Sequence, residues 1–248
     1  MECISAQAVA TNDTWARDFG PITVYENNTP LLLDYGFNGW GLKFRACDDN
    51  QITARLHARA VFGTTRRDVP GLILEGGSIE SDGAGTLLTT SSCLLEANRN
   101  PHLSRTELEN RLCQQLGVNR ILWLEHGYLA GDDTDSHVDT LARLAPDQTI
   151  IYQSCNDPQD EHFTELQAMA KELAALRTAQ GTAYRLIPLP WPAPCVQNEV
   201  VGQRLPATYA NYLILNTAVL VPIYGNDQDQ AACAAIATAF PDREIVPI

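Results

Sequence analysis

The chain has 248 residues, 45% hydrophobic, 19% charged and 7% aromatic: globular composition, long enough for a sizeable core in one large domain or two small ones. Seventeen Lys+Arg against 30 Asp+Glu give a net charge of −13 with no extended basic run, which argues against nucleic acid and anionic membrane and suits a cationic small molecule. Seven cysteines, an odd number without a CxxC pair, argue against a disulfide framework and a four-cysteine zinc site, and suit a reducing, cytoplasmic compartment.

The opening "MECISAQAVA" has no basic region and no long apolar core, so it does not read as a signal peptide. No apolar run approaches the roughly 20 residues that span a membrane. "TNDTWARDFGP" follows, with Asp13, Trp15, Arg17 and Asp18 crowded ahead of Gly20-Pro21. Taken alone it reads as a solvated loop feeding a strand. "ITVYE" and "PLLLDYG" read as two strands joined by "NNT". "NQITARLHARAVFG" reads as an amphipathic helix closed by Gly63, and "GLILEGG" as a short buried strand.

The pattern then repeats. "GSIESD" and "GTLLTT" read as a hairpin. "SRTELENRLCQQLG" carries a capping box, Ser104 with Glu107, and stops at Gly117; "RILWLE" is the strand after it. A third round runs through "SHVDTLARLA", "QTIIYQSC", a helix in "DEHFTELQAMAKELAALRTAQG" and "AYRLIPLP". A fourth runs through "TYANYLILNTAVLVPIYG", a helix over 227–240 and "EIVPI". The fold class is α/β: four strand–strand–helix–strand units at periods of roughly 55 to 70 residues, which bury their sheets by stacking around an axis, as in a propeller. "PLPWPAP" is a proline-rich loop.

Candidate polar residues fall at related places in successive units: Asp18 before the first hairpin, Glu75 at the end of the first unit, His137 and Asp139 opening the third. Each has a plain structural reading. "EGG" could be a strand end and turn. "GDDTDSH" could be a solvated acidic loop or half a calcium loop, without that motif's central Gly and later Glu. His137-x-Asp139 could supply metal ligands, though no second His stands four residues on. His57, His102, His126 and His162 read as surface or structural. Taken together the set has one chemistry. Two carboxylates are forked acceptors for a planar guanidinium, an indole offers a face to the same cation, and a histidine beside a carboxylate moves protons near neutral pH.

"TNDTWARDFGPI", "LEGGSI", "GTLLTTSSCLLEANRNP", "GDDTDSHVDTLARL" and "YANYLILNTAVLVPIYG" resemble the agmatine deiminase and bacterial-type peptidylarginine deiminase family of the pentein superfamily, from about Thr11 to the last residue. The resemblance implies a five-module α/β propeller, with about four modules in 1–248, as a single domain short at both ends. It implies hydrolysis of a guanidinium to a ureido group and ammonia without a cofactor or metal. A thiolate attacks the guanidinium carbon, and a histidine protonates the departing ammonia. The same histidine then activates water against the thiouronium intermediate. Carried over by motif, Asp18 and Asp139 resemble the guanidinium-binding carboxylates, Glu75 the acid that orients the histidine, and His137 the proton shuttle. Trp15 resembles a pocket wall, and Asp133 an acid near the far end of a small amine substrate.

The family's nucleophilic cysteine stands in a GG-x-x-x-x-C stretch, which these 248 residues do not contain. The expectation is a nucleophile outside the sequence, with buried structural thiols at the cysteines present. Agmatine is expected ahead of peptidyl-arginine, because Asp132 and Asp133 place negative charge just before His137 and "PLPWPAP" could restrict access. A non-catalytic guanidino-binding fragment and a metal-dependent hydrolase built on "DDTDSHVD" are the readings of other classes.

Overall fold

A computed structural model describes residues 6–196 and 202–248; Cys3 and most of the opening "MECISAQ" segment lie outside the described residues. Four three-stranded sheets share one wiring. They are β1 (Ile22–Glu26), β2 (Thr29–Leu33) and β3 (Arg66–Asp68); β4 (Ile79–Ser81), β5 (Thr86–Thr90) and β6 (Arg120–Leu124); β7 (Ala142–Ala145), β8 (Thr149–Gln153) and β9 (Arg185–Leu189); and β10 (Leu213–Ile214), β11 (Ala218–Val221) and β12 (Glu244–Pro247). In each, the first two strands pair antiparallel and the third joins the second in parallel. A parallel pair needs a crossover, and one helix supplies it each time: α1 (Ile52–Ala58), α2 (Arg105–Leu116), α3 (Phe163–Ala175) and α4 (Asp229–Ala237). Among the described residues the ββαβ unit is therefore present four times.

Two compact units divide these elements. The first holds residues 1–77 and 94–117; the second holds 78–93 and 118–248. The first contains β1–β3, α1 and α2. Gln115 of α2 reaches the first module directly: its Oε1 accepts from the Tyr35 hydroxyl at 3.1 Å, and its Nε2 donates to the Pro70 carbonyl at 3.4 Å. α2 starts as the sequence predicts. Ser104 Oγ accepts from Glu107 N, Glu107 Oε2 accepts from Ser104 N at 2.8 Å, and Gly117 ends the helix at φ 67°.

In the second unit, α3 and α4 each pack on their own sheet and on the one before it. Leu166, Met169 and Leu173 of α3 share a core with Leu88 and Leu124 of the second sheet and Leu144 and Ile150 of the third. Ala232 and Ile236 of α4 share another with Ile151, Ile187 and Leu189 of the third sheet and Val219 and Val221 of the fourth. Adjacent Ile150 and Ile151 thus face different cores, and both are fully buried. This is why "TIIYQ" shows no polar alternation: β8 is covered on both faces. Each such leucine or isoleucine contributes about 1.5–3 kcal/mol by leaving water.

The first module departs from the sequence reading. α1 stops at Ala58, and Ala60 turns left-handed at φ 55°, so Val61 and Gly63 lie beyond it. The third strand is not "GLILEGG" but Arg66–Asp68. That strand sits at the sheet edge, where charged side chains reach solvent or partners: Arg67 pairs with Asp34 at 2.5 Å and Arg66 with Glu26 at 2.7 Å. The apolar run is buried, as read, but it pairs only through an isolated bridge between Gly36 and Ile73, beyond the end of β2. "PLPWPAP" is also only partly loop, since Pro188 and Leu189 belong to β9. No helix among the described residues is long and apolar enough to cross a membrane.

Candidate functional site

The first unit carries Trp15, Asp18 and Glu75. Asp49, 38 residues away, anchors the polar stretch that begins at Thr11. Its Oδ1 accepts from Thr11 Oγ1 at 2.5 Å and from the Asn12 amide at 2.7 Å, while Asn12 Oδ1 accepts from Asp48 N at 2.7 Å. Thr11 and Asn12 thus lock the start of the stretch to the segment around Asp49, while Thr14 to Arg17 stay exposed. Beyond it, Ala16–Phe19 forms one helical turn that leaves Trp15 58% exposed and Asp18 buried.

Asp18 is held from two sides. Its Oδ2 accepts from the Trp40 indole at 3.0 Å and its Oδ1 from the Gly77 amide at 2.9 Å. The glycines of "EGG" make this approach possible, because a Cβ on Gly76 would stand 2.1 Å from the Arg17 carbonyl oxygen. Trp40 sits in a left-handed run, Gly39 to Leu42, with φ 73°, 55°, 79° and 67°. Non-glycine residues in this region cost about 1–3 kcal/mol each and persist where surroundings over-determine them. Here Phe37 packs edge-on against the Trp40 ring at 5.0 Å, Phe19 joins Phe37 at 5.6 Å, and Ile52 of α1 packs on the cluster.

Glu75 is fully buried and meets Arg99, also fully buried: Nε donates to Oε2 at 2.8 Å and to Oε1 at 3.1 Å. Glu96 approaches Arg99 at 3.4 Å. The guanidinium supplies the countercharge that a buried carboxylate requires.

The second unit carries Asp133, His137 and Asp139. Asp132 closes their loop on itself. Its Oδ1 accepts from Thr134 N at 3.0 Å and Thr134 Oγ1 at 2.5 Å, and its Oδ2 from Ser136 N at 2.7 Å. Both oxygens serve the loop, so Asp132 is a turn-former. Asp135 and Ser136 are left-handed at φ 67° and 68°. His137 is then fixed by its backbone: its amide donates to Thr134 Oγ1 at 3.0 Å and its carbonyl accepts from Thr140 Oγ1 at 2.8 Å. His137 and Asp139 are buried, and Asp133 is exposed.

Two further buried groups lie in the same unit. His162 Nε2 accepts from the Ala130 amide at 2.8 Å, so its proton sits on Nδ1, which donates to Asp160 Oδ1 at 2.5 Å. Asp160 Oδ2 also accepts from Trp191 Nε1 at 2.9 Å and Arg204 Nη2 at 3.1 Å. Burial opposes the Asp160 charge, yet these donors outweigh it and hold its carboxyl well below the usual range. Arg143 is the second group. Its Nη1 donates to the carbonyls of Tyr212 at 2.7 Å and Ala210 at 3.1 Å, its Nε lies 2.9 Å from Glu80, and it stacks on the Tyr212 ring at 4.6 Å. Burial works against its charge, but Glu80, Tyr212 and Asp139 more than offset that. His162 is thus structural, as read. His57 bonds the Thr65 carbonyl at 2.9 Å, and exposed His126 pairs with Glu172 at 2.7 Å, which raises its pKa.

Asp49, Trp40, Arg99, Asp160 and Arg143 escaped the sequence reading. A tryptophan between two glycines and an arginine between two asparagines were the available signals for Trp40 and Arg99.

A family profile described as Porphyromonas-type peptidyl-arginine deiminase matches residues 1–248. The fold is similar to that of a proposed arginine deiminase from Porphyromonas gingivalis, with TM-score 0.93 and 49% identity over 98% of this chain and 71% of that one. It is similar to an agmatine deiminase of C. jejuni with substrate bound, with TM-score 0.88 and 40% identity over 97% of this chain and 69% of that one. In sequence it is 34% identical to the agmatine deiminase of Pseudomonas aeruginosa, covering 97% of this chain and 70% of the relative.

Proposed function

Because the chain belongs to the agmatine deiminase and Porphyromonas-type peptidyl-arginine deiminase family of hydrolases, in the pentein superfamily, we propose that it serves the hydrolysis of agmatine to N-carbamoylputrescine and ammonia. The observation that carries this is the family match along the whole 248 residues, joined by 40% identity to a substrate-bound agmatine deiminase.

Asp18 and Asp139 take the guanidinium, the Asp18 carboxylate being held by Trp40 and Gly77. Trp15, more than half exposed, offers its indole face to the same cation. His137 gives a proton to the departing ammonia and later takes one from water, with Glu75 orienting it. Asp133 meets the amine at the far end of agmatine. No metal or cofactor enters the scheme. The nucleophile is a thiolate outside these residues. Burial raises the thiol pKa of Cys113, Cys155 and Cys233, the reverse of what a nucleophile needs.

Calorimetry with the purified chain tests the binding half. Agmatine should bind, and Asp18→Asn and Asp139→Asn should each weaken it at least about tenfold with the fold retained. An ammonia-release assay tests the chemical half. The 248 residues alone should not turn over agmatine; turnover abolished by replacing one of their cysteines would overturn the placement of the nucleophile.

Peptidyl-arginine is the second reading, favoured by the family profile over residues 1–248, which is described as Porphyromonas-type peptidyl-arginine deiminase. An arginine-containing peptide that binds more tightly than agmatine would establish it instead.

A further inference from the structure

We propose that Cys93 is a positioning residue for the His137 ring, its sulfur forming a buried wall that limits the orientations open to the imidazole. The inference deepens the reading of His137 as proton shuttle and takes its catalytic meaning from that reading. Cys93 Sγ and a His137 ring nitrogen lie within 4.8 Å of one another, and the two residues are 0% and 2% exposed. The proximity is built from both sides. Thr89 Oγ1 at the end of β5 donates to the Ser78 carbonyl at 2.7 Å, which fixes the strand end. The next residue, Thr90, donates through Oγ1 to the Ser136 carbonyl at 2.7 Å and so ties the loop immediately before His137 to the start of the turn Ser91–Leu94. Cys93 stands on that turn, three residues past the tie.

The chemistry of the pair explains what sulfur would do there. A neutral imidazole has one nitrogen that donates and one that accepts, and a proton shuttle needs the accepting nitrogen turned toward its reacting partner. A thiol is a weak donor and a weak acceptor, large and polarizable. It packs against the ring and discriminates between ring orientations without the strong charge of a second carboxylate. Alanine would leave space for the ring to rotate. Serine would keep a donor and acceptor but is shorter and harder.

Nuclear magnetic resonance of the full 248-residue chain tests this without turnover, so it stands or falls separately from the deimination reading. In the parent, a nuclear Overhauser contact should join the Cys93 Hβ protons to the His137 ring protons, and the ring 15N shifts should report one tautomer. In Cys93→Ala the ring should populate both tautomers or a second rotamer, and Cys93→Ser should restore part of the parent pattern. Absence of the contact in the parent, a measurement that needs no variant to fold, would overturn the proposal. So would identical ring 15N shifts in the parent and both variants.

Discussion

The indole of Trp40 donates to the buried carboxylate of Asp18 across 3.0 Å, from a left-handed turn that its flanking glycines make possible. Trp40→Phe keeps the ring packing against Phe37 and removes the donor. One oxygen of Asp18 then loses a buried partner, which costs about 1–3 kcal/mol. Urea unfolding should show that loss, and calorimetry should show weaker agmatine binding. Unchanged stability and affinity would reduce Trp40 to a packing residue.

Arg99 and Glu75 are both fully buried and face each other through two contacts from one nitrogen. Arg99→Met leaves a buried carboxylate uncompensated, a change that costs about 3–5 kcal/mol. Adding Glu75→Gln should return a large part of that, because the charge that needed Arg99 is gone. The double-mutant cycle measures the coupling. Additive losses would show that the two groups act independently.

The Asp160 carboxyl is held below its ordinary value in the folded chain by His162, Trp191 and Arg204, against the cost of burial. A depressed folded pKa stabilises the fold above the unfolded value, near 3.9, and the contribution disappears as pH falls through the lower folded value. Asp160→Asn should therefore destabilise the chain by about 2–4 kcal/mol at pH 7, and the difference should begin to shrink only below the unfolded value, near 3.9, as pH falls toward the lower folded value. Denaturant midpoints of parent and variant from pH 7 down to about pH 2 decide it. Parallel curves would show that the Asp160 charge contributes nothing.

Asp133 is exposed, whereas its neighbour Asp132 is committed to its own loop. Asp133→Asn should weaken agmatine binding by about 5- to 150-fold, the range for about 1–3 kcal/mol at a partly solvated charge contact. An arginine peptide should respond less. Asp132→Asn should instead lower the melting temperature, since it disturbs the turn before His137. Equal agmatine affinity in the Asp133 variant and the parent would remove Asp133 from the site.

Among the described residues, what the sequence determined by itself is local or repetitive. Ser104, Glu107 and Gly117 fix both ends of α2 within a few residues of themselves, so they can be read without a fold. The hairpins of β1–β2 and β4–β5 are legible because strand and turn signals adjoin, with Asn27 and Asn28 both at positive φ. Four rounds of the same pattern gave the module. The tertiary structure decided what depends on distant partners. "RRD" is a strand because β2 offers it a backbone edge, and hydropathy carries no trace of that. Arg99 and Trp40 acquire meaning through Glu75 and Asp18, 24 and 22 residues away. A single buried carboxylate in a sequence shows that a partner is required. Which side chain supplies it depends on where the chain returns, and only folding brings those atoms within hydrogen-bond reach.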